Sequence, residues 1–274
     1  MILVADAGNT HIKLGIYDQE RLIAKARLLT KMPKLPEEFE QDIASILRDN
    51  EINAGDIEAI AVATVASAIT TQAFLEGLSK LFAVEPLVVN TEMRTGIEIR
   101  TDVPAELGID RLVNAAAAFH EYGGGGPLLV VDFGTATTYD VITQKGEFLG
   151  GVIAPGIRSC AEALWEKTAK LPIVEIEKPD RVMGTNTVDS MKSGIFYGYL
   201  GQFEYLVRHL KEELETRTET ETKTEMETGT DFKVIATGGL AGIFRGNTNA
   251  IDIFDSELTL KGLSYISKIH QLPR

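Results

Sequence analysis

MILVADAGNTHIKLGIY, residues 1–17, is the stretch that decides the fold. An apolar run ends in Asp6, a small polar turn follows at Ala7, Gly8, Asn9 and Thr10, and Lys13 lies inside a second apolar run. The pattern predicts strand, turn, strand, with a carboxylate at the tip. Val4 and Ala5 suit a buried strand, while Gly8 and Asn9 tolerate the positive φ of a tight hairpin. Successive backbone N–H groups in such a turn, with a hydroxyl and an ammonium close by, form a concavity for a phosphate chain. An ordinary N-terminal hairpin fits the same residues, so this stretch alone does not assign a ligand.

The stretch has an echo. Residues 128–142 read LLVVDFGTATTYDVI, again an apolar strand ending in a carboxylate, Asp132, then a Gly-Thr turn and a second strand. A third relative, VIATGG at residues 234–239, is a strand that stops in a Thr-Gly-Gly turn. A chain of 274 residues has room for two such units. The break between them falls at the glycine run 123–126, which predicts an N-terminal domain of residues 1–122 and a C-terminal domain of residues 123–274.

Around the two hairpins, strands and helices alternate, the pattern of an α/β protein with a mostly parallel sheet under helical cover. In the first half the spacing predicts strands over 21–30, 57–65 and 85–89 and helices over 35–47, 69–81 and 110–121, the last rich in alanine. In the second half it predicts strands over 128–133, 137–143, 146–153 and 233–236. Helices are predicted over 161–171, 187–215, 240–244 and 258–269. Gly194, Gly198 and Gly201 sit inside the long helix, where each costs about 1 kcal/mol relative to alanine, so close helix or subunit contact is expected there.

Composition narrows the functions. No apolar run is long enough to span a bilayer and no export signal precedes the first strand, so a cytoplasmic location without membrane attachment is expected. A single cysteine, Cys160, excludes an internal disulfide framework, and four scattered histidines do not form a metal-ligand pattern. With 27 basic and 40 acidic side chains the formal charge is −13, which opposes nucleic-acid binding. Anionic ligands therefore need local positive potential. Residues 212–231 are a Thr/Glu tract without a core face, read as a helix end followed by a mobile loop.

Two hairpins tipped by Asp6 and Asp132 and facing a cleft point to phosphoryl transfer, in which a protein mainly positions groups and neutralises charge. The carboxylates would hold a divalent ion. The plain alternative for each is an aspartate that caps its own turn. Gly108, Ile109, Asp110 and Arg111 form the other sharp feature, at the foot of the alanine-rich helix. Asp110 reads either as a helix N-cap or as the base for an acceptor hydroxyl, with Arg111 facing an anionic group. A capping position would depress its pKa.

DAGNTHIK at 6–13, GIDR at 108–111, DFGTATT at 132–138, GGVIAPGI at 150–157 and GTNT at 184–187 occur in this order over nearly the whole chain. Together they closely resemble the type III pantothenate kinases, also called the Bvg accessory factor family. The resemblance implies two related ribonuclease H-like, actin-like domains of the actin, sugar kinase and Hsp70 superfamily with a cleft between them, assembled as a homodimer. It implies phosphorylation of pantothenate at its primary hydroxyl by ATP and Mg²⁺, the first step of coenzyme A synthesis. By motif matching, Asp6, Ala7, Gly8, Asn9, Thr10, His11, Ile12 and Lys13 would hold the ATP phosphates, with a further contact from Thr135. Asp110 would accept the proton, and Gly108, Ile109, Asp110, Arg111 and Thr187 would bind pantothenate. Asp132 is similar to the family's ligand for a monovalent cation, K⁺ or NH₄⁺, which leaves Mg²⁺ to Asp6. The family's usual tyrosine three residues before Pro104 is Thr101 here, which keeps a hydroxyl in the pantothenate pocket but not an aromatic wall. A kinase for another small hydroxylated acid, or a non-catalytic nucleotide-binding regulator, are the alternatives.

Overall fold

In the computed structural model, which describes residues 1–30, 34–221 and 232–271, the chain forms two compact units. One is Met1–Glu121 with Glu257–Arg274, the other Tyr122–Ser256. The expected division was 1–122 and 123–274; the compact units differ from it in that the chain from Glu257 on belongs with the first.

The first unit is built on a sheet of order β3-β2-β1-β4-β5, from β1 (Ile2–Ala7), β2 (His11–Asp18), β3 (Arg21–Leu29), β4 (Ala59–Thr64) and β5 (Leu87–Val88). The first three strands are antiparallel, whereas β4 runs parallel to β1 and β5 to β4. All six residues of β1 are buried. A central strand covered on both faces reads as an unbroken apolar run, which is why ILVADA does not alternate. On one face Phe39 and Ile43 of α1 (Pro36–Asp49) and Phe74 and Leu78 of α2 (Ala68–Leu81) pack with Leu3, Ile12 and Leu14. A two-residue strand, β6 (Glu98–Ile99), precedes α3 (Ile109–Tyr122) in the chain.

The opposite face is covered by α3 together with the C-terminal helix of the chain, residues Leu258–Gln271. Val113, Ala116, Leu260, Leu263 and Ile266 pack there with Ile2, Val4 and Ala61. The two helices approach closely: a carbon added at Gly262 would stand 2.3 Å from the Val113 carbonyl oxygen. Beside that contact the Thr259 hydroxyl donates to Asn114 Oδ1 at 2.8 Å, both residues being buried.

The second unit repeats the plan. Its strands β7 (Leu128–Phe133), β8 (Ala136–Ile142), β9 (Glu147–Pro155), β10 (Lys233–Thr237) and β11 (Ile253–Phe254) run in the order β11-β10-β7-β8-β9. Again the first three are antiparallel and the last two join in parallel. Each strand therefore has a counterpart in the first sheet. Phe133, Tyr139, Phe196, Phe203 and Phe244 lead its core, under α4 (Ile157–Glu166) and α5 (Thr187–Glu221). The last helix of the chain, in the first unit, is α6.

Helix α4 starts four residues earlier than its apolar spacing indicated, because Gly156 turns the chain into it directly from β9. Helix α5 continues to Glu221; the loop expected over 222–231 lies outside the described residues. Gly194, Gly198 and Gly201 have open space where a side chain would stand, so they serve no close contact among the described residues. Among the described residues no helix is long and apolar enough to cross a membrane.

Candidate active site

The first unit carries one cluster. Asp6, at the end of a strand buried on both faces, is 8% exposed, and Lys13, its cross-strand partner on β2, places Nζ 3.1 Å from Asp6 Oδ2. The turn between them is closed by the Gly8 N–H donating to the His11 carbonyl at 3.0 Å. It is braced from β3: the Thr30 N–H donates to Thr10 O at 3.0 Å and the Thr30 hydroxyl to Gly8 O at 3.2 Å. Neither Gly8 nor Asn9 takes the expected positive φ, since a three-residue turn held this way does not need it. Ala7 and Ile12 are fully packed in the core, so only their backbone is available to a ligand.

Asp110 stands in the first turn of α3 rather than as its cap, with Oδ1 accepting from the Arg111 N–H at 2.9 Å. Its pKa is raised, not depressed as a cap would have it. Burial is the main cause and the nearby Asp6 charge adds to it; the N–H of Arg111 and its guanidinium oppose the rise without cancelling it. The neighbouring glycine has a steric reason: a side chain at Gly108 would come 2.7 Å from Asp110 Oδ1. Ile109 packs against the α3–α6 side of the core, so its side chain is a fixture of the helix. Thr101, on the bend before Pro104, has its hydroxyl buried with no hydrogen-bond partner among the described residues.

The second unit holds Asp132, Thr135 and Thr187. Asp132 occupies on β7 the place of Asp6 on β1, but its cross-strand partner is Thr138. Beside it Thr237 of β10 is in register, and Gly238 follows with φ +94. A carbon added at Gly238 would stand 2.4 Å from Asp132 Oδ1 and 2.6 Å from the Phe133 nitrogen, so only glycine fits beside that carboxylate. In sequence VIATGG shows only a third strand and turn; the parallel pairing of its strand with β7 is what brings Gly238 beside Asp132. Thr135 is exposed, and its carbonyl accepts from Gly156 N and Ser159 Oγ, both at 3.0 Å.

Thr187 opens α5. It lines a groove of about 560 Å³ with Leu164, Leu171, Gly184, Asn186 and Met191. Among the described residues no three histidine, cysteine or acidic side chains converge as a metal cage. A divalent ion here would be held by one or two carboxylates and the phosphates of a substrate, the usual manner of Mg²⁺. Asp6, at the mouth of the turn, fits that manner.

Three comparisons bear on these clusters. The family model described as type III pantothenate kinase matches residues 2–209. A type III pantothenate kinase of Agathobacter rectalis is 42% identical over 97% of this chain and 96% of its own. One from Halalkalibacterium halodurans is 43% identical over 98% and 99%. Among solved structures, MreB 5 of Spiroplasma citri bound to AMPPNP covers 98% of the chain at 11% identity with a TM-score of 0.51. That likeness, together with the repeated strand order, shows the two-domain actin-like fold.

Proposed function

The chain belongs to the type III pantothenate kinase family, and we propose that it divides the work of phosphorylating pantothenate among the residues described above. The reaction moves the terminal phosphoryl group of ATP to the primary hydroxyl of pantothenate, the first step of coenzyme A synthesis. The observation that carries the assignment is the pairing of Asp6 with Lys13 at the turn, with the raised Asp110 carboxyl within electrostatic reach.

Asn9 and Thr10 offer backbone N–H groups to the phosphates, that of Gly8 being used to close the turn, and Lys13 supplies local positive charge on a chain whose formal charge is −13. Thr135, on the turn that follows Asp132, is proposed as a further phosphate ligand. Mg²⁺ accompanying the nucleotide neutralises charge on the phosphates, and Asp6 is the carboxylate that would hold it. Asp110 accepts the hydroxyl proton as the phosphoryl group leaves ATP. Its raised pKa makes it a better base than a capping aspartate, and a loose transition state asks little more of it. Arg111 faces the pantothenate carboxylate. The buried hydroxyl of Thr101, without a partner among the described residues, is available to the same substrate.

Asp132 holds a monovalent cation, a reading supported by its neutral cross-strand partner and by the space that Gly238 keeps beside it. A homodimer accounts for the exposed face of α5, where three glycines lie open beside exposed Val188 and Tyr205. Thr187 would then meet substrate from that helix. The test is an ATP-coupled assay with pantothenate, with and without potassium, on wild type and Asp110→Asn. Cation-dependent turnover that falls steeply in the variant is expected. Binding of ATP without phosphopantothenate would end the kinase reading; unchanged turnover in Asp110→Asn would end the assignment of the base.

A further inference from the structure

The third strand of the first unit has so far only braced the turn, yet it carries a charge that its own structure does not explain. Arg27 on β3 lies directly opposite Lys13 on β2, ahead of the register shift at Ile16 and Tyr17, so Asp6, Lys13 and Arg27 form one row across three strands. Residues directly opposite in an antiparallel pair share a face, and like charges in that position repel. Lys13 has Asp6 on its other flank. Arg27 makes no ion pair among the described residues; its polar contact is with the ring of His11, Nη2 to Nδ1 at 3.3 Å.

That contact has a definite chemistry. A guanidinium can only donate, so His11 Nδ1 accepts and the neutral ring carries its proton on Nε2. The histidine holds the arginine without neutralising it. Two cations placed opposite one another beside a turn of backbone N–H groups, one of them pinned by an uncharged ring, are unfavourable alone. An anion between them removes the repulsion.

We propose that Arg27 is a phosphate-binding residue of the nucleotide site, positioned by His11 and acting with Lys13 on the terminal phosphates of ATP. This rests on the reading that the 6–13 hairpin holds the nucleotide. Arginine suits the position because its planar fork meets two phosphate oxygens at once, where lysine presents a point charge. β3 thus contributes both the brace of the turn, through Thr30, and a second cation over it.

The test uses the full-length enzyme and the variants Arg27→Met, which keeps the stem and removes the charge, Arg27→Lys and Lys13→Met. Dissociation constants for ATP and AMP are measured by calorimetry, with KM for pantothenate alongside. Arg27→Met is expected to weaken ATP about ten- to hundredfold, the span of a charge-assisted hydrogen bond, while AMP and pantothenate change less than about twofold. Arg27→Lys should recover part of the loss. Because Arg27 is exposed, the unliganded variant should melt no lower than wild type, and ATP should raise its melting temperature less. If Lys13→Met weakens ATP and Arg27→Met does not, the assignment of Arg27 is wrong and the hairpin reading stands. An equal loss for AMP, or a loss confined to pantothenate, also overturns it. Should ATP affinity survive Lys13→Met as well, both readings fall.

Discussion

Replacing Gly262 by alanine should slow the enzyme while leaving nucleotide binding nearly intact. The added carbon would stand 2.3 Å from the Val113 carbonyl oxygen, 2.8 Å from Val113 Cγ1 and 3.1 Å from its carbonyl carbon. Backbone is the obstacle, so no rotamer change relieves it. Even a separation of 3.0 Å, below which Cβ atoms are essentially never found, requires α3 and α6 to part by 0.7 Å, the difference between 3.0 and 2.3. Overpacking of this kind costs about 1–3 kcal/mol. At about 2–4 °C per kcal/mol for a protein of this size, the melting temperature should fall by roughly 2–12 °C.

Asp110 lies one turn before Val113 on α3 and moves with it. A displacement near 1 Å in a reacting group costs up to about a hundredfold. The expected outcome is a fall in kcat of about ten- to hundredfold. Asp6 and Lys13 are fixed by strand pairing rather than by α3, so the ATP dissociation constant should change by less than about twofold. Steady-state kinetics and calorimetry below the melting transition separate the two effects. Ser264→Ala on the same helix is the control. Its hydroxyl is buried without a partner, so removing it should leave kcat unchanged and the melting temperature equal or higher. A kcat for Gly262→Ala within twofold of wild type, or a loss shared equally with ATP affinity, would refute the view that α6 sets the position of the base.

Two further outcomes follow from buried polar groups. Asp110→Asn should raise the melting temperature of the ligand-free protein at neutral pH even as it removes activity. The folded carboxyl keeps its proton to higher pH than the unfolded one, so stability falls as pH rises through that window and the full penalty is present above it. The advantage of the variant in thermal melts should therefore shrink as the pH approaches 3.8, the ordinary value; no advantage at pH 7 would show that the carboxylate is not strained there. Tyr139→Phe should also stabilise. The phenol is fully buried with no hydrogen-bond partner among the described residues, and burial with the neighbouring Tyr199 keeps it protonated far above its ordinary pKa. Relief of about 1–3 kcal/mol is expected, read as a higher melting temperature; a lower one would mean the hydroxyl is satisfied by bound water.

The duplicated fold was legible because each repeat begins with a buried strand ending in aspartate, a signal carried by contiguous residues. β6 and β11, two residues each, are too short to show a period. The place of α6 was not legible either. Its apolar face would fit any open sheet, and its return to the first unit depends on Gly262 meeting Val113 across a long stretch of chain. At the candidate site the residue types were readable, but not the sign of the Asp110 shift. Position in a helix suggested capping and a lowered pKa, whereas burial and Asp6, both tertiary effects, raise it. The proposed roles of Gly238 and Arg27 are illegible for a similar reason: each depends on the strand beside it.

The two hairpins place different residues in the same slot, and the difference can be exchanged. In the first, the partner of Asp6 is Lys13, whose ammonium places positive charge at the turn and suits it to an anion. In the second, the partner of Asp132 is the neutral Thr138, and Gly238 keeps room at the carboxylate, which suits a cation. Thr138→Lys should put a tethered ammonium where the proposed potassium ion sits. Potassium activation should then flatten to less than about twofold, with turnover in its absence rising toward the activated wild-type level, since a lysine ammonium supplies the same single charge. The substitution also removes the hydrogen bond from the Thr138 hydroxyl to Asp140 Oδ2 at 3.2 Å. Thr138→Val removes that bond without adding charge and should keep its potassium response. If Thr138→Lys folds, turns over and still needs potassium as wild type does, the cation does not sit at Asp132, and the two hairpins have not divided anion from cation in this way.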